Sequence, residues 1–212
     1  MDKRQAEFNQ PLPLHIANLT CVRAGKAMPF AREQMSAIDK APIKEAVAVN
    51  FMGLSTDEQA DRRHHGGPLK AVHQLPVATY EKINAEFGLK VRVGTLGENL
   101  TTEAVNGLPA MDESTVCIGD VFQYGQDEII DGNGGDSVQL RIVQPHRPCY
   151  KINEQIGQFS KVPNIASCVT KQGIAGWYFA VVRDGIIDAD LPVYLIKRPY
   201  PFAPLEKLWQ LA

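Results

Sequence analysis

The chain has 212 residues, and its 22 Lys and Arg residues against 24 Asp and Glu residues give a formal net charge of −2. This near balance excludes the broad basic surface of a non-specific nucleic-acid-binding protein, so no nucleic-acid partner is expected. Hydrophobic residues make up 44% of the chain and charged residues 22%, which excludes wholesale disorder. The length predicts a single domain over residues 1–212.

The sequence predicts a cytoplasmic protein with reduced thiols. Residues 1–7 lack the apolar core of a signal peptide, and no apolar run approaches the roughly 20 residues of a membrane-spanning helix. No membrane contact is therefore expected. The cysteines form no Cys-x-x-Cys pair, which argues against zinc ribbons and iron–sulfur clusters. They are Cys21, Cys117, Cys149 and Cys168.

Short β-branched stretches bounded by Gly, Pro or Asp dominate the chain. They predict strands over residues 14–22, 43–49, 116–124, 138–143, 178–182 and 193–196. Asn-Gly and Asp-Gly pairs predict hairpin turns at 131–136 and 183–185, because such turns need a positive φ. Many short strands joined by turns favour a mainly β fold, either an antiparallel barrel or a sandwich.

Few helices are expected. The clearest runs from Pro76 to Gly88, where apolar residues recur at a spacing of three and four and form one core-facing stripe. Shorter helices are predicted over 150–156 and 164–171. Residues 201–212 form a C-terminal tail in which 205–211 predict a short docking helix.

Residues 61–70 concentrate positive charge beside two glycines, with two arginines, two histidines and one lysine, and form a candidate ligand-binding segment. Glycine lets the backbone approach a ligand closely, and exposed N–H groups beside cations suit an anion such as phosphate. A solvated basic turn explains the same residues. The neighbouring His64 and His65 point to opposite sides of an extended chain, so at most one of them is a candidate metal ligand.

Residues 144–151 place Cys149 after a strand and at the start of a predicted helix, between Arg147 and Lys151. A helix N-terminus and neighbouring cations both favour the thiolate, which attacks electrophiles and ligates soft metals. The alternative for any lone cysteine is a small buried hydrophobic residue. That alternative is the interpretation of the other three cysteines, which have apolar neighbours.

Residues 94–102 contain Glu98 and Asn99 between glycines and threonines. Such a turn suits a side-chain amide that contacts a ligand, or one that closes the loop itself. Both alternatives remain open from the sequence. Nucleotide-binding loops, a nucleophile-elbow serine and a His-Glu-x-x-His metal motif are all missing.

Five segments carry a family pattern: 65–72 (HGGPLKAV), 97–100 (GENL), 118–122 (IGDVF), 144–151 (QPHRPCYK) and 173–178 (GIAGWY). In this order they resemble the MOSC family, the domain found at the C-terminus of molybdenum-cofactor sulfurases, and within it the stand-alone bacterial YiiM-like proteins. The resemblance spans about residues 10–200. It implies a β-barrel with a few helices packed around it.

The resemblance also implies a molybdenum cofactor (Mo-molybdopterin), and not pyridoxal phosphate, with the metal held by the thiolate of Cys149. The residues implied to contact the pterin or its phosphate are Arg63, His65, Lys70, Asn99, Arg147 and Tyr150. This chain has His146 where the family usually has Arg, with Arg147 one place later. Histidine titrates near neutral pH, so His146 is a candidate catalytic proton donor beside Cys149.

The implied function is an oxidoreductase that reduces small N-hydroxylated compounds, such as hydroxylaminopurine base analogues. The chain lacks flavin and iron–sulfur motifs, so the resemblance implies an external flavoprotein-type reductase as electron donor. The alternative is a carrier that binds the cofactor, or a persulfide on Cys149, and passes it on without turnover. A cysteine hydrolase is disfavoured because nothing in the sequence orients His146 as a base. A homodimer remains open.

Overall fold

The computed structural model describes residues 11–61, 66–105, 107–126, 135–157 and 164–209. The strands are β1 (Leu14–Gly25), β2 (Met28–Phe30), β3 (Gln34–Ser36), β4 (Lys40–Pro42), β5 (Val47–Asn50), β6 (Gly53–Leu54), β7 (Val72–Gln74), β8 (Leu100–Ala104), β9 (Val121–Tyr124), β10 (Val138–Pro145), β11 (Trp177–Arg183), β12 (Gly185–Ile187) and β13 (Pro192–Lys197). The helices are α1 (Val77–Phe87), α2 (Tyr150–Gly157), α3 (Ile165–Gln172) and α4 (Leu205–Trp209).

Seven strands close into a barrel in the order β13, β9, β10, β11, β7, β8 and β1, because β1 pairs back onto β13. The pairs are antiparallel except for β7 and β8, which meet in parallel at Gln74 and Leu100. β4 extends the sheet beyond β1, while β12, β5 and β6 form a separate small sheet. The prediction of a mainly β barrel with a few peripheral helices is confirmed.

The barrel interior is filled by alternating residues of the strands. Along β10, Val138, Leu140 and Ile142 are buried while Arg141 between them is exposed, as expected for a strand with one face on the core. The largest fully buried side chains in this core are Trp177, Tyr124, Phe122 and Phe179.

A second apolar cluster joins the helices to one another outside the barrel. Tyr80 and Ile83 of α1 pack there with Ile156 of α2 and Val169 of α3. The predicted helix at 76–88 is confirmed: Pro76 occupies the position before its first residue, and Gly88 ends it with a φ of +60°. The C-terminal helix is α4, and its Leu205 is buried in the barrel core, whereas residues 210–212 lie outside the described residues.

Two predicted strands begin later than the sequence indicated. The strand expected from residue 43 begins at Val47, and the one expected from 116 begins at Val121. In the second case residues 117–120 form a turn instead. The Asp120 carboxylate accepts the Cys117 N–H at 2.9 Å, and the Asp120 N–H donates to the Cys117 carbonyl at 3.2 Å.

The predicted hairpin at 183–185 is wrong, because β12 pairs with β5 and not with β11. Gly185 serves a close backbone approach: a Cβ there would lie 2.3 Å from the Asp136 carbonyl oxygen. In a sequence, the pair Asp-Gly is compatible with either a hairpin turn or a close approach of two backbone segments. The other predicted hairpin joins β9 to β10, which pair antiparallel, but most of its turn lies outside the described residues.

Gly176 marks the tightest contact between β7 and the residues leading into β11. Its φ is +75°, and a Cβ there would lie 2.1 Å from the Gln74 carbonyl oxygen. We expect Gly176→Ala to lower the free energy of unfolding by about 3 kcal/mol or more, because both backbone strain and a backbone clash act. Urea denaturation measures this loss.

Gly107→Ala is the matched control, because Gly107 has a φ of +86° but no atom within 4 Å of the added Cβ. It should cost only the strain of a left-handed residue, about 1–2 kcal/mol. Equal losses in the two variants would contradict the packing argument.

Candidate functional site

A cleft that opens to solvent lies beside β7, β11 and the start of α2. Its lining includes His73 of β7, Tyr178 of β11, and Cys149 and Lys151 at the start of α2. His73 and Tyr178 stand opposite each other in the antiparallel register of their strands. The cleft is thus built on barrel strands on one side and a short helix on the other.

Cys149 is a half-buried free thiol that precedes the first residue of α2. Pro145 ends β10 and Pro148 is buried just before the cysteine, so the connection between strand and helix is short and stiff. The thiol lines the cleft, as does the predicted His146. The structure therefore brings these two residues to one site.

Three rings form one wall of the cleft. The centroids of His73 and His146 lie 4.1 Å apart, and each lies about 5 Å from the Tyr178 ring, at 5.2 and 5.1 Å. Burial raises the pKa of Tyr178, and the charge of Cys149 raises it further. Tyr178 therefore keeps its proton at neutral pH and is able to donate a hydrogen bond.

A buried polar chain forms another part of the lining. Lys40 Nζ lies 2.6 Å from Asp57 Oδ2, and the same oxygen accepts Asn99 Nδ2–H at 2.9 Å. The Asn99 amide oxygen in turn accepts the backbone N–H of His73 at 3.1 Å. The side chain of Asn99 thus holds the cleft wall together, and its predicted contact with a cofactor stays a prediction.

The described lining of the cleft includes three lysines, Lys40, Lys70 and Lys151, and three acidic residues, Asp57, Glu58 and Asp61. Lys70 Nζ lies 5.9 Å from the centre of the Tyr178 ring, and Lys151 Nζ donates to the Met35 carbonyl at 3.0 Å. The glycine pair contributes less than the sequence suggested, because the Gly67 N–H already donates to Gln59 Oε1 at 3.0 Å. Lysine side chains remain well suited to an anionic group in the cleft.

Two predicted ligand residues lie apart from the cleft. Arg147 is exposed and is not part of the lining. Tyr150 donates its hydroxyl to Gln34 Oε1, and its ring lies 4.5 Å from the Arg32 guanidinium carbon. Arg63 and His65 fall outside the described residues. The roles of all four toward a cofactor stay predictions.

Glu98 closes its own loop. Its carboxylate accepts the Tyr80 hydroxyl at 2.7 Å and the Gly94 N–H at 2.7 Å, and the residue is fully buried. Burial raises the pKa of Glu98 above its ordinary value. The carboxylate of Glu98 therefore stabilises its own loop, whereas the two alternatives stated from the sequence concern the amide of Asn99.

The sequence did not single out His73, Tyr178, Lys40 and Asp57, which line the cleft, and it indicated Lys151 only as a cation beside Cys149. His73 directly follows one family segment and Tyr178 ends another, so their position at these motifs was an available signal. Lys40 and Asp57 are 17 residues apart and belong to no motif. They meet only because β4 folds back along the end of β1.

Glu113 lies behind the ring wall and is fully buried. Its carboxylate accepts the Thr79 hydroxyl at 3.1 Å and the Gly176 N–H at 2.7 Å. Burial raises its pKa to about 7, although the bond from Gly176 opposes the shift. No sequence signal marked this residue.

Known proteins share the sequence pattern and the fold of this chain. The family model described as MOSC domain matches residues 61–194, well over half of the chain. The chain belongs to the MOSC domain family. The match takes in Lys70, Asn99, His146 and Cys149, and the prediction from the sequence motifs is confirmed.

Relatives of this MOSC chain include Protein YiiM of Escherichia coli K12, which is 29% identical over 84% of the chain and 71% of its own length. A protein named Reductase from Gibberella moniliformis is 33% identical over 85% of the chain, but the chain spans only 29% of that protein. The structure of YiiM from Geobacillus stearothermophilus superposes with a TM-score of 0.67 at 21% identity, over 92% of this chain and 83% of that one, which shows the shared fold.

The MOSC family is associated with the molybdenum cofactor, and the cleft holds donor types compatible with such a group. They are one soft sulfur donor, Cys149, and the cations Lys70 and Lys151. Among the described residues, no three His, Cys, Asp or Glu side chains form a group that could hold a metal ion. A single thiol ligand from the protein suits a metal whose other sulfur ligands belong to the cofactor.

No helix in the described part of the chain is both long and apolar enough to cross a membrane.

The raised pKa of Glu113 predicts how stability changes with pH. A carboxyl with a pKa of about 7 when folded and 4.5 when unfolded binds more protons in the folded state between these values. Its contribution to stability is therefore complete below pH 4.5 and is lost as the pH rises through 7. From pH 5 to pH 8 we expect a loss of about 2–3 kcal/mol from this group.

Glu113→Gln should remove that loss, because the amide does not titrate. Urea denaturation of both proteins at pH 5 and pH 8 gives the change in unfolding free energy with pH for each protein. The contributions of the other buried carboxyls cancel when the two changes are subtracted. Parallel pH dependences for wild type and variant would show that Glu113 has an ordinary pKa.

Proposed function

We propose that this MOSC protein is a molybdenum-cofactor-dependent reductase of small N-hydroxylated compounds. The observation that carries the proposal is a free, half-buried thiol, Cys149, in a cleft walled by His73, His146 and Tyr178. The Gibberella relative named as a reductase supports an oxidoreductase activity. The finer assignment of the substrate comes from the sequence resemblance.

Cys149 would hold the metal through its thiolate, and Lys70 and Lys151 would bind the phosphate of the pterin. The bound cofactor supplies the two-electron redox chemistry and the affinity for the substrate oxygen. Lys40 is less available to the phosphate because Asp57 neutralises it at hydrogen-bond distance. Of the three described lysines that line the cleft, Lys70 and Lys151 are therefore the ones proposed to bind the ligand.

Reduction of an N–OH group to N–H consumes two electrons and two protons and releases one water molecule. The protein must therefore deliver protons to the leaving oxygen and to the nitrogen. His146 lines the cleft and is the proposed proton donor. Tyr178 holds its proton by virtue of its raised pKa, so it orients the substrate by hydrogen bonding and does not supply the proton.

The electrons would come from a flavoprotein-type reductase that docks on this chain. The chain spans 29% of the Gibberella protein named as a reductase. The long remainder of that relative supports the idea that a MOSC segment works together with other protein parts.

The first experiment measures molybdenum by elemental analysis and pterin by fluorescence, in protein from a host that makes the cofactor. We expect near-stoichiometric amounts of both in wild type and their loss in Cys149→Ser, with the fold retained. Reduction of an N-hydroxylated purine with an artificial electron donor should fall by at least about 10³-fold in the variant, because the metal loses its protein ligand.

Cys168→Ser is the matched control, since Cys168 is also a half-buried free thiol but lies on α3. It should keep cofactor and activity. Wild-type activity in Cys149→Ser would refute the mechanism. Cofactor or a Cys149 persulfide without turnover in wild type would instead favour the carrier function.

A further inference from the structure

One peptide group behind the cleft is hydrogen-bonded at both of its ends. The carbonyl of Ala175 accepts from His73 Nε2 at 3.1 Å and from His146 Nδ1 at 3.0 Å. The N–H of Gly176, which belongs to the same peptide unit, donates to Glu113 Oε1 at 2.7 Å. Because a peptide unit is planar, a partner that fixes its N–H also fixes the direction of its carbonyl.

This arrangement decides where the two histidine rings carry their hydrogens. A carbonyl oxygen only accepts, so His73 must be protonated on Nε2 and His146 on Nδ1. The two neutral rings are therefore opposite tautomers. For His146, the nitrogen that takes up and gives away the exchangeable proton is then Nε2.

The next peptide unit is held by the backbone, because the Gly176 carbonyl accepts the backbone N–H of His146 at 2.9 Å. The N–H of the Ala175–Gly176 unit is held by the side chain of Glu113. Its carboxylate is also tied to α1 by the Thr79 hydroxyl.

We propose that Glu113 is a positioning residue for the cleft, which holds the Ala175–Gly176 peptide plane and thereby fixes the ring orientation and tautomer of His73 and His146. The catalytic consequence rests on the proposed function: a fixed Nδ1–H on His146 presents Nε2 as the proton donor. A buried carboxyl is costly, and its pKa of about 7 reflects that cost. A carboxylate at the N–H end and two donors at the C=O end polarise the peptide in the same direction.

The test is ¹⁵N NMR of the histidine rings in cofactor-free protein at pH 8.5, where neutral rings reveal their tautomers. In wild type we expect His73 in the Nε2–H form and His146 in the Nδ1–H form. Glu113→Leu should mix the tautomers of both rings, because the peptide plane loses its anchor. Unchanged tautomers in folded Glu113→Leu protein would overturn the proposal.

Glu113→Gln tests the same idea in a variant that keeps a side-chain acceptor of the same size. It should retain both tautomers, while the Gly176 amide proton shifts upfield because a neutral acceptor replaces a charged one. If the chemical shift of the Gly176 amide proton is unchanged in Glu113→Gln, the proposal is overturned independently of the result for Glu113→Leu.

Thr79→Val is the matched control, since it removes the other bond to the Glu113 carboxylate at an equally buried position. It should leave both tautomers as in wild type. Mixing of the tautomers in Thr79→Val to the same extent as in Glu113→Leu would show general loosening and refute a specific role of Glu113.

Kinetics of cofactor-loaded protein supply the functional readout. Glu113→Leu should lower kcat about tenfold with KM changed less than about threefold, and Glu113→Gln should restore most of kcat. An equal loss of kcat in Thr79→Val would overturn the positioning role. Inactive wild type would refute the proposed function, whereas the NMR result would still decide the role of Glu113.

Discussion

The antiparallel pairing of β7 with β11 is the constraint on which the site depends. It sets His73 opposite Tyr178, and it brings Gly176 so close to the backbone of Gln74 that no side chain fits between them. Because β7 also pairs in parallel with β8, the residues just before β8 lie alongside His73. Asn99 uses this proximity to bind the backbone of His73 on both its N–H and its C=O side.

Hydrogen bonds of buried polar groups give the cleft its shape. The pair Lys40 and Asp57 is about nine-tenths buried on both sides, so breaking it would leave an uncompensated charge. Asp57 spreads its bonds over Lys40, Gly25 and Asn99 and thereby ties β1, β4 and the loop before β8 together. The wall of the cleft is therefore held by ionic and amide contacts, while the barrel behind it is held by apolar packing.

Local sequence patterns predicted the parts of the fold that local physics decides. The apolar stripe and the terminal Pro76 and Gly88 were enough to predict α1, and β-branched runs were enough to place β10 and β13. The sequence did not distinguish the uses of Gly185, because a glycine needed for a turn and a glycine needed for close approach look alike. That difference depends on Asp136, which lies far away along the chain.

As with the fold, the sequence indicated the local features of the candidate site but not those that depend on distant residues. Cys149 and His146 were identified because they sit at a stiff junction between strand and helix, which is a local feature. Lys40, Asp57 and Glu113 were missed because each is defined by partners that are distant in sequence and brought together by barrel closure. Lys, Asp and Glu are common on protein surfaces, so their presence in a sequence does not indicate a site. Only their burial, which the structure shows, sets these three residues apart.

Glu113 also has a consequence for the energetics of the whole molecule. With a pKa raised to about 7, its carboxyl titrates in neutral solution, so the native protein is a mixture of two forms that differ by one proton. Unfolding returns this group to the ordinary pKa of a glutamate and releases protons into the buffer. The calorimetric heat of unfolding at neutral pH should then depend on the ionisation enthalpy of the buffer chosen.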